Sequence, residues 1–97
     1  MNKKQTSSTN PITLNLLTAT YGTNPLIPIE LIAEQILGLS IATAKRKASN
    51  FELPFPTIRL TNSQKSPYVV HIQDLANFID KITAEAKCNW GKFQFAA

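Results

Sequence analysis

The stretch LIAEQILGLSIATAKRKASN (31–50) reads as two helices joined by a tight turn. Leu31, Ile32, Gln35, Ile36 and Leu37 follow helical spacing, with Glu30 and Glu34 on the other side. Gly38 stands where a left-handed C-cap belongs, because glycine enters that backbone region without steric penalty. With only Leu39 between, Ser40 is a good N-cap, whose hydroxyl can satisfy the free N–H of Thr43. Ile41, Ala44, Ala48 and Phe51 then mark the expected buried stripe of the second helix. The outline is a helix-turn-helix.

The strongest local signal in the second helix is TAKRKASN (43–50). Burying Ile41, Ala44 and Ala48 turns Thr43, Arg46, Lys47 and Asn50 outward. Arg46 and Asn50 are four apart and stand one above the other. An arginine can grip guanine with two hydrogen bonds and an asparagine can grip adenine, so the pair suits base reading in a major groove. Lys45, Lys47 and Ser49 suit phosphates. The competing reading is an ordinary solvated basic face.

Pro54 and Pro56 end this helix and prevent its restart. Ile58 and Leu60 alternate with Arg59, and Tyr68, Val70 and Ile72 alternate with Val69 and His71, the period of strands. TNSQKSP (61–67) between them is polar. The expectation is a β-hairpin over 57–72 with a loose basic tip, a wing. Its Ser63, Gln64, Lys65 and Ser66 would meet phosphates or a minor-groove edge, or form only a soluble turn. Arg59 should point to solvent or to a phosphate.

Outward from this centre, Ile12, Leu16, Leu17 and Ala19–Tyr21 predict a short amphipathic helix that stops at Gly22. TNPLIP (23–28) is extended or turned, with Pro28 suited to the first turn of the next helix. After the wing, Ile72, Leu75, Ala76, Ile79, Ile82 and Ala86 keep helical spacing for about four turns. Asp74 near the start and Lys87 near the end suit the helix dipole. MNKKQTSSTN (1–10) should be disordered, and CNWGKFQFAA (88–97) lacks a clear period. The expected division is a tail at 1–10, a winged-helix domain at 11–88 and a C-terminal tail at 89–97. Trp90, Phe93 and Phe95 in that tail either fold back on the core or form a contact surface.

Composition narrows the function. At 97 residues and 43% hydrophobic, the chain has material for one core and no second domain. The net charge is +4, and residues 41–70 carry Lys45, Arg46, Lys47, Arg59 and Lys65 against Glu52 alone. A local basic excess favours a polyanion, nucleic acid ahead of membrane. Cys88 is the single cysteine, so no internal disulfide is expected. His71 is the single histidine and lacks partners at ligand spacing, so it reads as a structural strand-end residue and no metal or cofactor is expected. No catalytic spacing surrounds the serines, His71 or the aspartates, and no glycine-rich phosphate loop occurs. A non-enzymatic protein of the cytoplasm is expected, without a signal peptide or membrane span.

LIPIELIAEQILGLSIATAKRKASNFELPFPTIRLTNSQKSPYVVHIQDLANFIDKITAEAK (26–87), with LNLLTATYG (14–22) before it, resembles the pyocin activator protein family. IPIELIAEQILGLS (27–40), LPFPTIRL (53–60) and SQKSPYVVHIQDLANFID (63–80) carry the resemblance most specifically. Residues 1–10 and 88–97 fall outside it. The resemblance implies a small bacterial DNA-binding activator of bacteriocin genes, those for phage-related killing particles. It fits an α+β, mainly helical, winged helix-turn-helix of the kind shared with excisionase-like and MerR-like domains. The expected partners are double-stranded DNA, RNA polymerase and a second copy of the chain, as a homodimer or a cooperative oligomer on DNA. Control of another prophage gene is equally compatible. An excisionase-like DNA-bending protein and a phage-derived protein-interaction module are the alternatives.

Overall fold

A computed structural model describes residues 11–63 and 65–96, with side chains as far as Gln94. The N-terminal segment expected to be disordered, residues 1–10, lies outside the described residues, as does Gln64. Helix α1 spans Pro11–Tyr21, strand β1 Leu26–Pro28, and helix α2 Ile29–Ile32, which widens into a π-helical turn at Ala33–Leu37. Helix α3 is Ile41–Ser49, strand β2 is Val69–His71, and helix α4 is Ile72–Ala96. The protein is a small, mostly helical α+β chain with a two-stranded antiparallel sheet.

The caps read from sequence are present. Gly38 takes a left-handed conformation (φ 68°, ψ 27°), and the Leu39 N–H bonds back to the Ala33 carbonyl at 2.9 Å. Ser40 starts α3 by accepting the Thr43 N–H at 3.2 Å. Gly22 ends α1 with φ 92°, its N–H bonded to the Thr18 carbonyl at 2.8 Å.

The sheet differs from the expected hairpin. β2 pairs with β1, in the register Leu26↔His71, Ile27↔Val70 and Pro28↔Val69. The Ile29 N–H bonds to the Tyr68 carbonyl and the Ile72 N–H to the Pro25 carbonyl. That alternation leaves Pro28 at a non-hydrogen-bonded position, the kind of place on an edge strand that a residue without N–H can fill. Pro28 is accordingly the N-cap of α2 and not part of its first turn. On the other side, Ile58 meets Val69 in a single bridge, and Leu60 is outside any strand with 68% exposure. Ile72 opens α4 and does not extend β2.

This sheet hinges the core. Ile27, Ile29, Ile32, Val70 and Leu75 are its largest fully buried side chains, contributed by β1, α2, β2 and α4. Burial of each contributes roughly 1.5–3 kcal/mol relative to exposure. Leu17 of α1 joins them, and Thr13 Oγ1 donates to Asp80 Oδ1 at 2.6 Å, tying α1 to α4. Phe55 and Phe78 meet edge to face at 5.5 Å, fastening the segment after α3 to α4. The α1 stripe is narrower than its pattern suggested, since Ile12 and Leu16 are 64% and 62% exposed.

Helix α4 runs far beyond the expected four turns. Its 25 residues continue without a break through the region read as a tail, so Lys87 lies inside the helix and not at its end. From Lys81 to Trp90 every residue is exposed. Trp90 and Phe93 do not fold back on the core, and Phe95 lies outside the described side chains.

Candidate nucleic-acid interface

Ala44 and Ala48 are the residues of α3 that face the core, at 0% and 2% exposure. Two small residues let the helix lie close against α2 while the long side chains turn away. Ile41, expected beside them, is half-exposed, because it stands in the first turn where α3 has not yet reached the core. Arg46 lies about 160° around the helix from both alanines, at the centre of the outer face. Arg46, Ser49 and Asn50 are all exposed, and no acidic side chain pairs with Arg46 among the described residues.

The flanking lysines are held differently. Lys45 Nζ is 3.3 Å from Glu30 Oε2, and Lys47 Nζ is 3.9 Å from Glu52 Oε1. The second Glu30 oxygen, Oε1, is buried and finds no hydrogen-bond partner among the described residues, so Lys45 is what balances this carboxylate. Both lysines therefore stand partly neutralised at the edges of the face. Thr43 is also committed elsewhere: its Oγ1 accepts from the Ser40 hydroxyl at 2.9 Å, within the cap.

Helix α3 ends in a Schellman-type cap. The Glu52 N–H bonds to the Lys47 carbonyl at 2.8 Å and the Phe51 N–H to the Ala48 carbonyl at 3.3 Å. Phe51 occupies the left-handed position with φ 59°, where glycine is usual. It was expected in the buried stripe, and instead the positive φ swings it out to 90% exposure.

The segment after Pro56 is tied, not loose. Arg59 stacks its guanidinium 4.9 Å from the Tyr68 ring centroid, and its Nη2 donates to the Ser63 carbonyl. Its cation stays uncompensated by an acid among the described residues, and the residue is exposed although its guanidinium is tied to the loop. Ser63 Oγ accepts the Lys65 N–H at 3.2 Å, and Ser66 Oγ accepts the Thr61 N–H at 3.4 Å. Each hydroxyl keeps its own hydrogen to donate. Lys65 is exposed, while Gln64 lies outside the described residues.

These two regions meet in a groove of about 250 Å³ lined by Ala48, Ser49, Phe51, Thr57, Arg59 and Tyr68. The fold thus brings the end of α3 to Arg59, as the sequence-derived site requires. Two of the lining side chains, Phe51 and Tyr68, had not been counted in that site. The signal for Tyr68 was its place beside the partner of Ile58, opposite Arg59. His71 lies elsewhere: its Nδ1 accepts the Gln73 N–H at 3.0 Å and caps α4. Among the described residues no cluster of His, Cys, Asp and Glu could hold a metal ion, and no helix is long and apolar enough to cross a membrane.

The family model described as pyocin activator protein PrtN matches residues 13–86. The chain belongs to the pyocin activator family. This is a regulatory family, and its match takes in α1, the sheet, α3 and the loop closed by Arg59, so the whole candidate interface lies inside the family's shared part. The family match ends at Ala86, before Trp90 and Phe93. No curated protein and no solved structure matches the chain.

Proposed function

We propose that this pyocin activator family member is a sequence-specific, double-stranded-DNA-binding transcriptional activator of bacteriocin or prophage-derived genes, acting in the cytoplasm through a winged-helix domain. Helix α3 lies in the major groove, with Arg46 and Asn50 on base edges and Ser49 at the phosphates. The loop between Ile58 and Val69 is the wing, with Arg59, Ser63, Lys65 and Ser66 along the backbone or minor groove. Lys45 and Lys47 flank the DNA backbone at the edges of this face, each held back from a phosphate by a carboxylate. The observation that carries the reading is the outer face of α3, where an unpaired arginine stands between two paired lysines opposite an alanine-only core contact.

Two copies act together. One short helix spans few base pairs, and specific binding needs about 4–10 kcal/mol beyond nonspecific binding, which two half-sites reach more readily than one. The free part of α4 supports pairing: Ile82, Ala86, Trp90 and Phe93 fall within an arc of about 80° on that helix. Activation then follows from a surface set beside RNA polymerase.

Selection of bound duplexes from a random pool tests the reading. A clear motif, lost with Arg46→Ala, is the expected result, and no enrichment would refute it. Light scattering, free and DNA-bound, should give a dimer that Trp90→Ala with Phe93→Ala dissociates. A single copy binding with full specificity would remove the dimer.

A further inference from the structure

Phe51 is exposed over 90% of its surface and sits in the left-handed backbone position that closes α3. For a residue with a Cβ this conformation is disfavoured, and for a bulky one it is a genuine outlier. In the free protein the ring gains almost nothing in return, since it buries little apolar area. A glycine there would complete the same cap with less strain. The position is therefore poorly suited to stability and well suited to presenting a ring.

The ring's surroundings indicate to what it is presented. It follows directly on Asn50, and it lines the groove shared by Ser49, Arg59 and Tyr68. On this side it is an apolar group beside an arginine, an amide and hydroxyls, and on the other it borders a groove with Leu53, Pro54, Phe55 and Pro56. The major groove displays one apolar feature among its donors and acceptors, the C5-methyl of thymine, and aromatic side chains can contact it. The left-handed cap also fixes the direction of the Cα–Cβ bond through two backbone hydrogen bonds, so the ring projects from a rigid attachment point.

We propose that Phe51 is a specificity-determining contact to a thymine methyl at the edge of the site read by α3. The proposal rests on the DNA-binding reading above and adds a residue and a base to it.

The test uses the full chain and its selected duplex, with each thymine replaced in turn by deoxyuridine, which removes only the methyl. At one position per half-site the replacement should weaken binding of the unaltered protein about fourfold, the factor that burial of one methyl supplies. Phe51→Gly should bind the original duplex more weakly and be indifferent to deoxyuridine at that position. Phe51→Leu should retain part of the discrimination. The midpoint of thermal unfolding should stay level or rise in Phe51→Gly, because strain is relieved. A fall in that midpoint would show that the ring holds the fold and overturn the proposal. So would equal binding and an equal deoxyuridine profile for Phe51→Gly and the unaltered protein. If the unaltered protein enriches no duplex at all, the DNA reading itself falls and takes this contact with it. Binding to a defined site without any thymine-methyl response removes the Phe51 contact alone.

Discussion

Arg46 and Ser49 stand on the regular helix α3 and Asn50 at its C-cap, and their side chains make no hydrogen bond or ion pair among the described residues. Between Ile58 and Val69 the polar side chains are instead knitted together: Arg59 to Tyr68 and the Ser63 carbonyl, Ser63 to Lys65, Ser66 to Thr61. The helix gets rigidity from its backbone and can leave its side chains free. Among the described residues the loop's backbone has the Ile58–Val69 bridge and one turn bond, from the Ser66 N–H to the Ser63 carbonyl, so side chains carry much of its shape. A base reader needs a fixed frame and unspent hydrogen-bonding groups, whereas a phosphate contact tolerates groups already in use. Under the proposed function, this contrast supports giving reading to α3 and positioning to the loop.

The largest expected effect lies on the helix. Arg46→Ala should cost about 1–3 kcal/mol on the selected site and relax preference at particular base pairs. On a scrambled duplex the loss should be much smaller. Paired titrations on the two duplexes measure this. If the loss is the same on both, Arg46 is a phosphate contact and the division between helix and loop breaks.

Arg59→Ala comes next and acts through the loop's shape as well as its charge. Loss of the stack on Tyr68 and of the bond to the Ser63 carbonyl should weaken both duplexes alike, by roughly 1 kcal/mol. The loop should also become more accessible to proteolysis. Intact proteolytic resistance together with a change in base preference would make the loop a reader and invert the assignment.

What the sequence disclosed and what it concealed follow the range of the interactions involved. The Gly38 turn and the Ser40 cap depend on residues three to six apart, and their chemistry is written in place. The pairing of β1 with β2 joins residues over forty positions apart through a three-residue strand containing a proline, which no local pattern marks. The length of α4 was hidden by Asn89 and Gly91, which interrupt the pattern although Trp90 and Phe93 continue the stripe of Ile82 and Ala86. Arg46 and Asn50 were legible as outward-facing because Ala44 and Ala48 fix the inner side. Phe51 was not, since helical spacing was carried one residue past the cap, where the backbone has already reversed hand. The carboxylates that hold Lys45 and Lys47 were also missed, because Glu30 comes from another helix and Glu52 from beyond the cap.

Those carboxylates change the expected salt dependence. With Lys45 and Lys47 paired, Arg46, Arg59 and Lys65 remain without acidic partners among the described residues. With Arg46 on base edges, the two phosphates met by Arg59 and Lys65 give a log–log slope of about −1.8 per protomer, and Lys65→Ala should make it shallower by about 0.9 with no change in base preference. Fluorescence anisotropy at several salt concentrations checks both values. A slope near zero would show the basic residues to be a solvated face.

The smallest effect comes from freeing a flanking lysine, and it separates the two lysines from each other. Glu52 is exposed, and its contact with Lys47 at 3.9 Å is a surface pair of the kind that contributes no more than about 1 kcal/mol. Glu52→Gln keeps the side chain's shape and leaves the Lys47 carbonyl bonded to the same backbone N–H, so the cap of α3 survives. Lys47 then becomes available to a phosphate, and the slope should steepen by about 0.9 on the selected and the scrambled duplex alike. Base preference should not move, because a phosphate carries no sequence information. Glu30 differs, since one of its oxygens is buried and Lys45 is its balancing charge. Glu30→Gln should therefore disturb the packing of α2 against α3 and lower the unfolding midpoint, whereas Glu52→Gln should not. If Glu52→Gln leaves both slopes unchanged, Lys47 does not reach the DNA backbone, and the contact surface of α3 narrows to the line of Arg46, Ser49 and Asn50.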